Sequence, residues 1–88
     1  MPGPRLVEIR STTTGIVLYT AMGAESEHEY GADFEIEQGS VVVALESCKT
    51  EIPILAPVGG ICRIKVQPGQ VVAAGDLLAE IVRVGESE

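Results

Sequence analysis

The sequence predicts an all-β domain of eight short strands arranged as two similar halves. Three observations predict this class. Hydrophobic residues make up 45% of the 88-residue chain but aromatic residues only 3%, so the core must be built mainly from Val, Ile, Leu and Ala, which favour pleated strands. Short apolar or alternating segments are separated by turn signals, and no longer stretch keeps a helical period. Finally, the chain repeats its own pattern.

The predicted strands follow one another at short intervals along a single domain, residues 1–88 with a core of about 5–84. The segment ICRIKV illustrates the alternation, because Cys62, Ile64 and Val66 share one face, predicted to be buried, while the intervening residues face solvent. Pro68-Gly69 and Gly75-Asp76 are turn signals. The strands are predicted at 5–10, 15–20, 33–37, 41–46, 51–55, 61–66, 70–73 and 77–83.

Two pairs of segments resemble each other in pattern. VEIRSTTTGIV (7–17) aligns with IPILAPVGGIC (52–62), which matches Gly15 to Gly60. QGSVVVALE (38–46) aligns with AGDLLAEIV (74–82), which matches Gly39 to Gly75. Two such halves would bury each other's apolar sides by packing face to face, with a pseudo-two-fold axis between them.

The first half carries a polar insertion. The two matched glycines lie 24 positions apart in the first half and 15 in the second, a difference of about nine residues that falls near TAMGAESEHEYGAD, residues 20–33. This segment is rich in carboxylates and is suited to a surface loop between the second and third strands. It is interpreted either as a solvated acidic face, with His28 in solvent, or as a protruding element that contacts a ligand or partner.

Charge and composition exclude several classes of function. A net charge of −7 and a pI near 4.5 argue against nucleic acid and anionic membrane surfaces, and favour a partner with a basic face. No apolar run is long enough to span a membrane and the N-terminal residues lack a secretory h-region, so we expect a cytoplasmic protein. Cys48 and Cys62 are expected to be free thiols. With a single histidine, neither a zinc site nor a nucleophile–base set can be assembled.

The stretch LESCKTEIP, residues 45–53, joins two predicted strands without any of the usual turn residues. With Cys48 and Lys49 as the central pair of a two-residue hairpin, Ser47 faces Thr50 and, one step further, two like charges oppose each other. A tight primed turn also requires positive φ at both central residues, which side chains other than glycine resist. Residues that depart in this way from local conformational and pairing preferences often belong to functional sites.

Lys49 is one of only two lysines in the chain. Lys65 is explained as an outward residue of an alternating strand, whereas Lys49 is predicted at the tip of a projecting hairpin. A flexible stem that ends in a reachable amine is what amide-bond modification requires. The alternative is a lysine that only makes the turn more soluble.

The segment LESCKTEIPILAPVGG resembles the attachment site of biotinyl carrier domains, whose usual form is Glu-Ala/Ser-Met-Lys-Met followed by an apolar strand and Ala-Pro before a glycine turn. The resemblance extends from about Val7 to Val82. It implies a flattened β-sandwich of two four-stranded antiparallel sheets. It also implies covalent biotin on Lys49, flanked by Glu46, Ser47, Cys48, Thr50 and Glu51. Cys48 and Thr50 stand where the family usually has methionines.

The insertion is similar in place and length to the thumb of the carrier subunit of many bacterial acetyl-CoA carboxylases. That likeness implies a thumb that shields or contacts biotin, with Thr20 and Ala21 at its base. The expected protein is then a biotin carboxyl carrier subunit or domain of a biotin-dependent acyl-CoA carboxylase, not catalytic by itself. Its expected partners are a biotin protein ligase, a biotin carboxylase and a carboxyltransferase.

Two alternatives remain open from the sequence. Lys49 could instead carry lipoate, as in the carrier domains of 2-oxo acid dehydrogenase complexes. The chain could also be an unmodified binding or structural module of the same fold, which the replacement of both methionines would favour.

Overall fold

The computed structural model describes residues 5–21 and 33–83, which form eight β-strands and no helix. None of these residues therefore forms a helix long and apolar enough to cross a membrane. The strands are β1 Arg5–Arg10, β2 Gly15–Thr20, β3 Asp33–Ile36, β4 Val41–Ser47, β5 Thr50–Leu55, β6 Gly60–Ile64, β7 Val71–Val72 and β8 Leu77–Arg83.

All eight predicted strands are confirmed, and the largest differences lie at the ends of β6 and β7. β7 is reduced to two residues because a turn closes at each of its ends: the amide of Gln70 donates to the carbonyl of Gln67, and the amide of Asp76 donates to the carbonyl of Ala73. β6 ends at Ile64, two residues earlier than predicted, although the amide of Lys65 still donates to the carbonyl of Leu78 at 2.8 Å.

The strands form two four-stranded antiparallel sheets, as predicted. One sheet has the order β1-β8-β6-β3, and the other, here called the hairpin sheet, has the order β5-β4-β2-β7. The core between them is aliphatic, and its largest fully buried side chains include Leu45, Ile64, Leu78 and Ile81. The alternation predicted for β6 is confirmed, since Cys62, Ile64 and Val66 are all buried.

The internal repeat corresponds to a pseudo-two-fold relation between strands β1–β4 and β5–β8. Each strand of one half corresponds to the strand four numbers later, so β1 corresponds to β5 and β4 to β8. Exchanging every strand for its counterpart converts the order β1-β8-β6-β3 into β5-β4-β2-β7. Hydrogen bonds correspond too: the Gly39 amide donates to the Ala56 carbonyl and the Gly75 amide to the Ser11 carbonyl, each at 2.8 Å. The sequence repeat is thus a repeat of backbone structure.

The matched glycines Gly15 and Gly60 begin equivalent strands and are required for the same reason. A Cβ atom at Gly15 would lie 2.6 Å from the carbonyl oxygen of Glu46, and one at Gly60 would meet the carbonyl oxygen of Val82 at least as closely. Both strands therefore start where a neighbouring backbone leaves no room for a side chain.

The two halves differ in the register of β2. Val17 pairs with Leu45 and Tyr19 with Ala44, so Leu18 is an extra residue in the strand, a β-bulge. The corresponding pairing of β6 with β8 has no such shift. Leu18 therefore supplies one of the nine extra residues of the first half, and the other eight lie between Ala21 and Asp33. Most of the predicted acidic segment, including His28, falls within 22–32, outside the described residues.

Candidate functional site

The turn between β4 and β5 has the predicted geometry. Cys48 and Lys49 occupy its two central positions with φ of 53° and 64°. Ser47 pairs with Thr50 and, next along the strands, Glu46 pairs with Glu51. Because left-handed backbone costs an L-residue roughly 1–2 kcal/mol, this turn is held by the strands on either side and not by local preference.

The side chain of Lys49 stands exposed at the tip of this hairpin. Within the part of the chain that the structure describes, no ion pair engages its amine. A primary amine on a flexible four-carbon stem, free of competing partners, can enter the active site of another enzyme and accept an acyl group. The residue thus fits the covalent attachment of a carboxylic acid such as biotin.

The base of the hairpin is held by the segment that connects β1 to β2. The hydroxyl groups of Thr13 and Ser47 lie 3.5 Å apart, and Gly15 packs its backbone against the carbonyl of Glu46. The repeat pattern had singled out Gly15, but nothing in the sequence pointed to Thr13, which reaches Ser47 only when the two sheets are assembled.

Tyr19 is a further residue of the site that sequence reasoning missed. Its hydroxyl donates a 3.0 Å hydrogen bond to a carboxylate oxygen of Glu51. This hydrogen bond, together with the negative charge of Glu51, raises the pKa of Tyr19. The contact crosses β4 and depends on the bulge at Leu18, so no local pattern could have revealed it. It fixes one of the two carboxylates that face each other below the tip.

Thr20 and Ala21, predicted at the base of a thumb, lie at the far end of β2 from the hairpin. Thr20 is buried and pairs with Val43, and the amide of Ala21 donates to the carbonyl of Val42. Val43 precedes Ser47 by four residues of β4, or about 13 Å at the usual strand rise. The structure therefore brings Glu46, Ser47, Cys48, Thr50 and Glu51 together around Lys49, but not Thr20 and Ala21.

The two cysteines are free and lie in different environments. Cys48 is exposed beside Lys49, whereas Cys62 lies in the core, where burial and the charge of Asp33 raise the pKa of its thiol to about 11. No group of three His, Cys, Asp or Glu side chains in residues 5–21 and 33–83 could hold a metal ion. The chemical capacity of the site thus resides in the amine of Lys49.

Comparison with known proteins agrees with this geometry. The model of the family described as biotin-requiring enzyme matches residues 7–81. Two relatives each align with 48 residues, or 53%, of this chain. The chain is 52% identical to a protein of Mycobacterium leprae named as a biotinylated protein TB7.3 homolog, and 46% identical to the biotin/lipoyl attachment protein of Bacillus subtilis. These matches cover 68% and 66% of the two relatives.

A solved structure is similar over nearly the whole chain. It is that of a single-chain, multi-domain long-chain acyl-CoA carboxylase, with a TM-score of 0.59 and 30% identity over 92% of this chain. The chain spans only 7% of that protein's length. The expected cofactor, biotin, is confirmed by the description of the family and by the name of the M. leprae relative. On the family match over residues 7–81, the chain belongs to the biotinyl and lipoyl carrier domains of biotin-requiring enzymes.

Proposed function

We propose that this chain carries biotin, joined by an amide bond to Lys49, as the carrier domain of a biotin-dependent acyl-CoA carboxylase. One observation carries the proposal: Lys49 is held in left-handed backbone at the tip of a two-residue hairpin, exposed and with no ion pair to any described residue. If this lysine served only solubility, the strained backbone at its position would have no purpose. Glycine or asparagine adopts positive φ in such a turn at a lower cost in free energy.

Two of the comparisons support the carboxylase assignment. The acyl-CoA carboxylase has a domain-sized region similar to this chain, and the family description names biotin-requiring enzymes. In such an enzyme a ligase would attach biotin, a biotin carboxylase would load the attached group and a carboxyltransferase would unload it. Attached biotin supplies the ability to carry a carboxyl group, and the protein supplies its position.

The residues of this chain contribute tethering and presentation. The hairpin projects Lys49 from the end of the hairpin sheet, while Ser47 and Thr50 close the turn below it. Tethering keeps the carried group at an effective concentration of roughly millimolar near a docked partner, so tight binding is not needed. The acidic chain can also accelerate encounter with basic partner surfaces.

The test is co-expression with a biotin protein ligase in excess biotin. We expect the intact mass to increase by one biotinyl group per chain, streptavidin to bind, and peptide mass spectrometry to locate the group on Lys49. Lys49→Arg should abolish the modification, and Lys65→Arg, the matched control, should leave it complete. Modification of Lys65, or an unmodified Lys49 under these conditions, would contradict the proposal.

Lipoate on Lys49 is the second candidate, favoured by the B. subtilis relative, whose name includes both groups. The same mass measurement separates the two, because lipoyl and biotinyl groups differ in mass and only biotin binds streptavidin. A lipoyl mass without streptavidin binding, in cells that contain both ligases, would replace the first candidate by the second.

A further inference from the structure

The exposed side of the hairpin sheet carries an apolar surface next to Lys49. Val71, Ile16, Glu46 and Glu51 are consecutive Cα partners across its four strands, so their side chains share one face. Among the described residues, six large hydrophobic side chains are exposed, and five of them belong to this sheet. We call these five residues the apolar face: Ile16, Leu18, Tyr19, Leu55 and Val71.

The exposed side of the other sheet is charged. Glu8, Glu80, Arg63 and Asp33 are consecutive Cα partners across β1-β8-β6-β3. Arg63 forms a 2.7 Å ion pair with Asp33, and Glu8 is paired with a neighbouring arginine at 2.8 Å. Ion pairs thus occupy the centre of this solvent-facing sheet, and Leu6 is its one large hydrophobic side chain among the described residues that is exposed.

The pseudo-two-fold relation turns this contrast into an internal control. Pro53, Ala44 and Tyr19 are consecutive partners in the hairpin sheet, at the positions equivalent to Glu8, Glu80 and Arg63 in the other. Apart from the bulge at Leu18 the strand pairing is the same, so the fold accepts charged residues at these positions and does not require apolar ones. Single exposed apolar side chains are ordinary, but a group of them marks an interaction surface. Ile16, Leu18 and Tyr19 lie within four residues of β2, and Val71, which is 68% exposed, pairs with Ile16.

Charge indicates what the apolar face binds. Of the six Lys and Arg residues in the chain, only Lys49 belongs to the hairpin sheet or its turn, since the others lie on or directly after strands of the opposite sheet. Glu46 and Glu51 border the apolar face. The complementary surface is therefore apolar at its centre, with lysine or arginine side chains opposite these two carboxylates.

We propose, on the basis of the proposed function, that the apolar face docks onto the biotin carboxylase that loads the group carried by Lys49, through an apolar patch edged with basic side chains. Such a partner would match the face in both charge and position. The face and Lys49 lie on the same sheet, so a partner that covers Ile16 and Val71 also lies beside Glu46 and the hairpin. A second copy of the chain fits less well, since a symmetric contact would bring these carboxylates into one interface.

The size of the face indicates a transient complex. Strands of six, seven, six and two residues, about 4.8 Å apart and rising about 3.3 Å per residue, cover about 330 Å² on one partner. Twice that area lies below the roughly 1,200 Å² of stable interfaces and in the range of short-lived encounters. A carrier that must leave one active site for another needs such a contact.

Modification strengthens the complementarity, a consequence that rests on the proposed function. An amide bond to Lys49 removes the positive charge of the one cation on this sheet and leaves Glu46 and Glu51 without an opposing charge beside them. A basic partner should therefore bind the modified chain more tightly than the unmodified one.

The test is a titration of the ¹⁵N-labelled full chain, with Lys49 unmodified, by the biotin carboxylase of the same organism. We expect the amide signals of Ile16, Leu18, Tyr19, Leu55 and Val71 to shift or broaden, and the binding to weaken as salt is added. Val71→Glu should raise the dissociation constant about tenfold or more, because it replaces the most exposed apolar side chain of the face by a charge that the partner would have to desolvate. Leu6→Glu, an equivalent change at a 55% exposed position of the other sheet, should leave it unchanged.

Three results would overturn the proposal: no binding, perturbed signals confined to the hairpin tip or the charged sheet, or concentration-dependent shifts without partner that show self-association through this face. Dispersed spectra of both variants would establish that they fold. Because the chain in this experiment carries no biotin, a failure of docking is distinct from a failure of attachment to Lys49.

Discussion

Strands β1–β4 and β5–β8 have the same arrangement, but the two sheets differ at the edge pair where β4 turns into β5. The pairings of β1 with β8 and of β5 with β4 share even an irregularity, between Ile9 and Arg10 in one and between Val41 and Val43 in the other. In the hairpin sheet the chain turns from β4 to β5 through Cys48 and Lys49. At the equivalent position of the other sheet Arg5 pairs with Arg83, with no turn between them. The features common to the two halves form the backbone of the sheets, whereas the turn that carries Lys49 occurs in only one half.

The largest effect is expected at the glycines that the halves share. Gly15→Ala and Gly60→Ala each place a methyl group against a neighbouring backbone carbonyl, so both should lower the free energy of unfolding by about 3 kcal/mol or more, or prevent folding. Chemical denaturation of the two variants measures this. Similar losses would strengthen the equivalence of the halves.

Gly39→Ala and Gly75→Ala are the matched controls. Nothing lies within 4 Å of a Cβ atom at either position, and both have φ near +90°, so only the backbone cost of about 1–2 kcal/mol applies. If these controls were as damaging as the first pair, close backbone approach would not be the reason for Gly15 and Gly60.

The next effect concerns Cys62, which occupies the core position equivalent to Val17. Its pKa is raised to about 11 from an ordinary value of 9.0. Above pH 9 the unfolded chain loses the thiol proton while the folded chain keeps it, so stability is full below pH 9 and falls up to about pH 11. Two pH units correspond to about 3 kcal/mol.

Cys62→Val, which makes the two halves alike at this position, should remove that loss. The measurement is the free energy of unfolding from pH 8 to pH 11 for both proteins, with Cys48→Ser as the control, because Cys48 is exposed. Parallel curves for the original chain and Cys62→Val would show that the buried thiol does not govern alkaline stability.

A smaller effect, of opposite sign, is expected at the turn that only one half possesses. Cys48→Gly and Lys49→Gly should each stabilise the protein by about 1 kcal/mol, because glycine adopts positive φ without the steric cost that the present residues bear. Thr50→Gly, at a strand position, should destabilise it. Thermal denaturation compares the three, and a loss of stability in both turn variants would mean that the turn is not strained.

The smallest effect is electrostatic and belongs to the hairpin sheet alone. Glu51→Gln removes the charge beside the Tyr19 hydroxyl, so the raised pKa of Tyr19 should fall towards its ordinary value. Absorbance titration of tyrosinate in a Tyr30→Phe background reports Tyr19 alone, because the chain has two tyrosines. An unchanged pKa would indicate that the Tyr19–Glu51 hydrogen bond is absent in solution.

Much of the candidate site could be predicted because it depends on local pattern. Alternation and turn signals predicted the strands on either side of the tip, and once two residues were assigned to the turn, the pairing of Ser47 with Thr50 followed from strand geometry. Contacts across strands could not be predicted in this way. Tyr19 reaches Glu51 only because β2 contains a bulge at Leu18, and an extra residue within an apolar strand leaves no mark on its pattern.

The sequence by itself determined the eight strands, the two-fold repeat and the position of Lys49 in a turn, because each follows from the identity and spacing of near neighbours. Only the tertiary structure decided which faces of the two sheets meet solvent and what they carry there. The charged row Glu8–Glu80–Arg63–Asp33 and the row Val71–Ile16–Glu46–Glu51 each draw residues from four strands far apart in the chain. Such rows form only when strand order and register are fixed, and these depend on how the whole core packs.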